Sequence, residues 1–176
     1  MAIHASFIAG TAYYPADLMQ GWQDIVSNGV LSSSDLIVSQ TSAPSMAVQV
    51  TGAPQGSPGG NCWINGYRIY NDTTTTLTIA TADSTNPRID LVVIGVDTSV
   101  NPYNPVLEVI TGTPASSPTA PSIPGTLICL TLAQVYVAAN ASSITNSNIT
   151  DTRIYSHINN SMVPLSSVFG YIYMFS

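Results

Sequence analysis

Two pairs of oppositely charged residues have a spacing at which their side chains could take part in ion pairs or hydrogen bonds. Arg88 precedes Asp90 by two positions at the start of an apolar run, and Asp151 precedes Arg153 with the same spacing. Residues two apart on an extended segment share a face but stand about 7 Å from each other. We therefore expect each side chain to bond to another segment rather than to its neighbour. A guanidinium suits a carboxylate or carbonyl, so we predict a fixed structural partner for Arg88, with ligand binding by Arg88 as the alternative.

No other group of residues has the types and spacing of an active site. The sequence contains no nucleophile elbow, no phosphate-binding glycine loop and no cluster of metal ligands. His4 and His157 are far apart, and both lie in segments predicted to be peripheral. We therefore predict that the protein is not an enzyme and has no catalytic residues, no cofactor and no metal.

The charge balance narrows the classes of partner. Only 7% of the 176 residues are charged, there is no lysine, and the net charge is -6. Phosphate binding needs a basic surface, so we expect neither nucleic acid nor an anionic membrane as a partner. No apolar run reaches the roughly 18 residues of a membrane helix, and the N-terminus lacks a signal-peptide pattern. A surface of Ser, Thr, Asn and Gln suits proteins that pack side by side, although compositional bias is the alternative.

Most of the chain has the pattern of β-structure. Apolar or alternating runs are separated by Gly, Pro and Asn, which predicts a mainly β fold: an antiparallel, jelly-roll-like β-sandwich with one short N-terminal α-helix. The predicted strands are 35–40, 46–51, 62–70, 76–81, 90–96, 106–111 and 127–138. Asn65-Gly66 marks either a hairpin turn or a bulge. The run 90–96 is apolar on both faces, which is typical of a central strand.

Two further features concern connections and thiols. The tract 112–125 contains four prolines, so we predict an extended connection over the surface rather than a flexible linker between domains. Cys62 and Cys129 each lie in an apolar run, which favours buried free thiols over a disulfide.

Both ends of the chain carry predicted assembly contacts. A helix within 14–29 places Leu18, Trp22, Ile25 and Val26 on one stripe, which must pack on a sheet or on another subunit. The C-terminal run 167–176 is apolar on both strand faces, and such a strand aggregates unless another chain covers it. One face of that run carries the aromatic residues Phe169, Tyr171, Tyr173 and Phe175. We assign 1–34 as an N-terminal assembly segment, 35–154 as the β-sandwich domain and 155–176 as a tail that contacts a partner or subunit.

Three stretches together resemble a known protein module. They are "TNPRIDLVVIGVD", "LEVITGTPASSPTAP" and "LTLAQVYVAANASSITNSNITDTR". The combination is similar to a module of tailed-bacteriophage tail and baseplate proteins over about 85–153. The resemblance implies a minor tail protein, a baseplate component or the virion-proximal part of a tail fibre. Such modules are β-rich, often trimeric, and attach a distal receptor-binding part. Longer relatives continue far beyond the "ITDTR" motif, and the short remainder here favours an adaptor.

The expected function is therefore a structural virion protein of a phage tail, made in the bacterial cytoplasm and acting by assembly. We expect a homotrimer that attaches other tail or baseplate proteins. One alternative is a tail tip that binds a host surface glycan through Tyr, Trp and Asn side chains. Trp22 and Trp63, however, lie in segments expected to be buried. A second alternative is a head decoration or head fibre protein.

Overall fold

The computed structural model describes residues 15–159, with side chains from residue 19 onward. Helix α1 spans Pro15–Ile25, and a short 3-10 helix spans Asn146–Asn148. The strands are β1 (Gly29–Val30), β2 (Val38–Ser45), β3 (Ala47–Val50), β4 (Asn61–Ile64), β5 (Tyr67–Tyr70), β6 (Thr75–Thr78), β7 (Arg88–Asp97), β8 (Asn104–Ile110), β9 (Leu127–Val137) and β10 (Ile149–Asp151). The predicted fold class is confirmed: the protein is mainly β, antiparallel and sandwich-like, with one short α-helix in the described region.

The strands form three antiparallel sheets. Their orders are β10-β9-β7-β8, β1-β4-β5 and β2-β3-β6. In the four-stranded sheet, β7 pairs along its length with β9 and along most of its length with β8. Every residue of β7 except Ile89 and Asp97 is buried, which confirms the prediction of a central strand.

One hydrophobic core joins the three sheets. Val92, Ile94 and Val96 alternate along β7 and face it, and β9 adds further buried apolar side chains. The other two sheets contribute Val48, Val50, Cys62 and Ile64. Each large apolar side chain buried in this way stabilises the fold by about 1.5–3 kcal/mol. The three sheets are therefore one packed unit.

The Asn65-Gly66 step forms a hairpin turn between β4 and β5. Ile64 pairs with Tyr67, and the two turn residues have φ of 45° and 78°, in the left-handed region that this turn requires. A Cβ at Gly66 would lie 2.3 Å from the carbonyl oxygen of Met19. Gly66 therefore serves both the turn and the close approach of α1, and the hairpin interpretation is the correct one.

The proline tract crosses the length of the four-stranded sheet. β8 ends near the start of β7, whereas β9 begins opposite its end, so the connection must run back along β7. Most of its residues are exposed, and the buried or half-buried ones recur every third position from 112 to 121. This is the period of a polyproline II helix. Leu91 and Val93 are 4% and 0% exposed although neither belongs to the hydrophobic core between the sheets.

Two predicted strands each have one end displaced by three residues from its predicted position. The predicted strand 35–40 begins only at Val38, because 31–36 forms turns and Leu36 has a φ of 55°. The predicted strand 76–81 corresponds to β6 but ends at Thr78. The carbonyls of Ala80 and Thr81 accept hydrogen bonds from Arg88 instead of continuing a ladder.

Candidate functional site

Arg88 and Asp90 form a direct ion pair at the start of β7. The Arg88 Nε donates to both carboxylate oxygens of Asp90, at 2.9 and 3.2 Å. The expectation that these two side chains would not meet is wrong. The arginine side chain is long enough to span the spacing of about 7 Å between residues two apart on a strand.

The remaining donors of Arg88 reach another segment. Its guanidinium donates to the carbonyls of Ala80 and Thr81, the latter at 2.8 Å. The Asp90 carboxylate also accepts the backbone N–H of Gly112 at 2.8 Å. We call this set the Arg88–Asp90 clamp. It confirms the predicted acidic or carbonyl partner of Arg88, and it ties β7 to the segment after β6 and to the start of the proline tract.

Asp151 and Arg153 form a second clamp of the same kind. The Arg153 Nε donates to both Asp151 oxygens, at 3.0 and 3.1 Å, and a second guanidinium nitrogen donates at 2.7 Å. The third guanidinium nitrogen donates to the carbonyls of Ser33 and Asp35. Hydrogen bonding to Arg153 lowers the pKa of Asp151 and outweighs the opposing effect of burial. The Arg153–Asp151 clamp thus ties the segment at β10 to the turns at 31–36. The expected bond to another segment is present for Arg153. The described hydrogen bonds of the Asp151 side chain all come from Arg153, so the expectation that the two side chains would not meet is wrong here too.

Asp35 is a buried polar centre that the sequence prediction missed. The side chain is 1% exposed, and its carboxylate accepts backbone N–H groups of Gly59 at 2.7 Å and Asn61 at 2.9 Å. The Asn61 amide and the Ser32 hydroxyl donate to it as well. Burial raises the pKa of Asp35, but these hydrogen bonds outweigh burial and the pKa is lowered. The spacing of Ser32 and Asp35 is a turn signal that could have identified it.

The polar side chains of the two clamps and of Asp35 bond mainly to other parts of the chain and hold its segments together. The Ser27 hydroxyl lies 2.9 Å from Nδ1 of His157, but no described hydrogen bond reaches Nε2 of that histidine, where a catalytic acid would bind. Among the described residues, no three potential metal ligands lie together. No helix between residues 15 and 159 has the length and apolar character needed to cross a membrane.

Both cysteines are free thiols, as predicted. Cys62 is buried and Cys129 is half-buried. Burial, with a smaller contribution from Asp35, raises the pKa of Cys62 to about 12. Burial and nearby Glu108 also raise the pKa of Cys129. Both thiols therefore ionise less readily than an exposed cysteine does.

The predicted assembly contacts are only partly within the described region. Trp22 is 47% exposed, so the expectation of a buried Trp22 is wrong. Its ring lies 5.2 Å from that of half-buried Trp63 at a tilt of 32°, and the rest of the ring faces solvent. Val26 is half-buried and forms a bridge to Ile158. The side chain of Leu18 lies outside the described residues, as do Phe169, Tyr171, Tyr173 and Phe175.

Exposed apolar side chains gather on α1 and on the segment paired with its end. The backbone of 154–159 bonds to that of 25–30, for example from Asn159 N–H to the Ile25 carbonyl at 2.8 Å. These two stretches carry five large apolar side chains between 46% and 67% exposed, which we call the α1 patch: Trp22, Ile25, Ile154, Tyr155 and Ile158. Grouped exposure of this kind marks a contact surface more often than scattered exposure does.

Comparisons with models of protein families, with curated proteins and with solved structures found no match.

Proposed function

We propose that this chain is a structural component of a bacteriophage tail that acts by self-assembly and by attaching other tail or baseplate proteins. The α1 patch is the observation that carries the proposal. Its five large apolar side chains face solvent in the isolated chain, and burying them against another subunit is favourable at about 25 cal/mol per Å². The assembly we propose is a homotrimer.

The residues of the phage-like motif support a structural role. Arg88 and Asp90 of "NPRID" form one clamp, and Gly112 of the "GTPA" stretch donates to it. Asp151 and Arg153 of "ITDTR" form the other. The most distinctive polar residues of the motif thus hold the scaffold rather than a substrate. This pattern favours an assembly protein over an enzyme.

The oligomer is tested by sedimentation of the intact chain. We expect a species of three times the chain mass of 18.5 kDa. Ile158 is 67% exposed. An aspartate at this position would place an unpaired charge in the interface, so Ile158→Asp should dissociate the oligomer. Ile123→Asp is the matched control, because Ile123 is also exposed, at 41%, but lies in the proline tract. A monomer at all concentrations, or equal dissociation by both variants, would contradict the assembly proposal.

The position in the virion requires a separate experiment. Particles labelled with an antibody to this chain should carry the label on the tail in negative-stain micrographs. Label on the capsid instead would favour the head decoration or head fibre alternative. Deletion of 164–176 should reduce incorporation into particles, and normal incorporation would contradict the proposed role of that tail.

A further inference from the structure

A groove separates the α1 end of the molecule from the loop between β7 and β8. Its cavity volume is about 600 Å³, within the range of small-ligand sites. One wall comes from α1 and the β4–β5 turn, and the other from the β7–β8 loop, with Ile128 of β9 also lining it. The lining residues with polar groups are Gln23, Asn65, Tyr67, Asn101 and Tyr103.

The first wall is held by defined contacts. The Gln23 side-chain amide donates to the Asn65 carbonyl at 2.8 Å. Asn28 donates through its amide to Asn65 Oδ1 at 2.9 Å and accepts the Asn65 N–H at 2.7 Å. Gly66 lets α1 approach the turn directly. These contacts fix the orientation of both amides before any ligand arrives, which lowers the entropic cost of binding.

The same contacts leave hydrogen-bonding groups of both side chains for a ligand. With its N–H group engaged, Gln23 retains its Oε1 as an acceptor, and Asn65, with Oδ1 engaged, retains its amide N–H₂ as a donor. Within the described part of the chain, neither of these atoms has a further hydrogen bond to a side chain. The groove therefore offers complementary neutral hydrogen-bonding groups.

Two tyrosines supply aromatic surface in the same groove. Tyr103 is 52% exposed and Tyr67 is half-buried. Burial raises the pKa of Tyr67, and the neighbouring Tyr103 raises it further, as expected for two phenols near one cavity. Tyr67 therefore remains neutral at physiological pH. The remaining lining residues, Met19 and Pro102, are apolar.

We propose that this groove binds a neutral carbohydrate. Sugars have apolar C–H faces that stack on aromatic rings and vicinal hydroxyls that pair with amide groups. No lining residue is charged, so a phosphate or carboxylate ligand has no charged partner, and the net charge of -6 repels anions. A purely apolar ligand would leave the free groups of Gln23 and Asn65 buried without hydrogen bonds.

The test is saturation-transfer NMR on the intact chain, with glucose, galactose, N-acetylglucosamine and their disaccharides as probes at millimolar concentration. We expect transfer to the ring C–H protons of at least one sugar. Tyr103→Ala should weaken its binding about tenfold, whereas Tyr103→Phe, which keeps the ring, should bind nearly as the native chain does. Tyr136→Ala is the matched control, since Tyr136 is 44% exposed on β9 but does not line the groove.

Each contrary outcome overturns the carbohydrate site. These outcomes are no transfer to any sugar of the panel, unchanged binding by Tyr103→Ala, or an equal loss in Tyr136→Ala. The site does not depend on the proposed assembly role, because the groove and the α1 patch consist of different residues. Sedimentation of Tyr103→Ala should match the native chain, so failure of one proposal is distinguishable from failure of the other.

Discussion

The Arg88–Asp90 and Arg153–Asp151 clamps share one local geometry and differ in solvent exposure. In each, the arginine Nε donates to a carboxylate two positions away, and the guanidinium also donates to two carbonyls of another segment. Both arginine side chains are nearly buried, at 4% and 6% exposed. The acids differ: Asp90 is 0% exposed and Asp151 is 58% exposed.

This difference shows that the hydrogen-bond geometry of an ion pair does not by itself determine how much the pair contributes to stability. Where both partners are buried, removing one leaves the other charge without water or a counter-ion, which costs several kcal/mol. Where the acid faces solvent, water replaces the lost partner and little is lost. The two clamps therefore provide a matched pair within one chain, and four substitutions measure the contrast.

The largest effect is expected for Arg88→Met. The change leaves the Asp90 carboxylate buried without its cation and removes donors from the carbonyls of Ala80 and Thr81. We expect a loss of about 3–5 kcal/mol in the free energy of unfolding, measured by urea denaturation. Arg68→Met is the control, because Arg68 is exposed with a single described side-chain bond, 3.3 Å to Asn61, and should change stability by only about 0.5 kcal/mol. Equal losses in the two variants would break the argument from burial.

An intermediate effect is expected for Arg153→Met. Asp151 remains solvated, but the carbonyls of Ser33 and Asp35 lose their donor. We expect a loss of about 1–3 kcal/mol and faster amide hydrogen exchange in the turns at 31–36. If this variant is destabilised as much as Arg88→Met, exposure of the acid is not what separates the clamps.

The smallest effect is expected for Asp151→Asn, about 0–1 kcal/mol at neutral pH. The pKa of Asp151 in the folded protein lies below its ordinary value of 3.8. A lowered pKa contributes stability above that ordinary value, and the contribution is lost as pH falls through the folded pKa. The native chain should therefore lose more stability on acidification than Asp151→Asn, as followed by urea denaturation at several pH values. If the stability of the two proteins falls in parallel with pH, the lowered pKa of Asp151 is contradicted. Asp90→Asn leaves Arg88 buried and unpaired, so it should destabilise the protein more than Asp151→Asn does at neutral pH.

Features encoded by neighbouring residues could be predicted from the sequence. The run 90–96 is apolar on both faces, which predicts a central strand. The two residues Asn65 and Gly66 are themselves sufficient to predict the hairpin turn. The partners of Arg88 could be predicted as carboxylate or carbonyl groups because a guanidinium binds oxygen acceptors. In each case the physical cause lies within a few positions of the residue itself.

Features that depend on distant segments could not be predicted. Asp35 is buried because Gly59 and Asn61, 24 and 26 positions away, donate to it. The exposure of Trp22 depends on where α1 lies against the β4–β5 turn, which α1 approaches closely at Gly66. The groove draws its lining from α1, the β4–β5 hairpin, the β7–β8 loop and β9, and no spacing in the sequence relates these four regions.

The crossing of the proline tract has a consequence for the order of folding. β7 and β8 close over a short hairpin loop, whereas β9 can pair with β7 only after the chain has returned along the whole sheet. Closing the larger loop costs more chain entropy, and non-local pairings form more slowly than local ones. We expect the β7–β8 hairpin to form early and β9 to add late. During that interval one edge of the most apolar strand is open, and nascent chains are most prone to aggregate there.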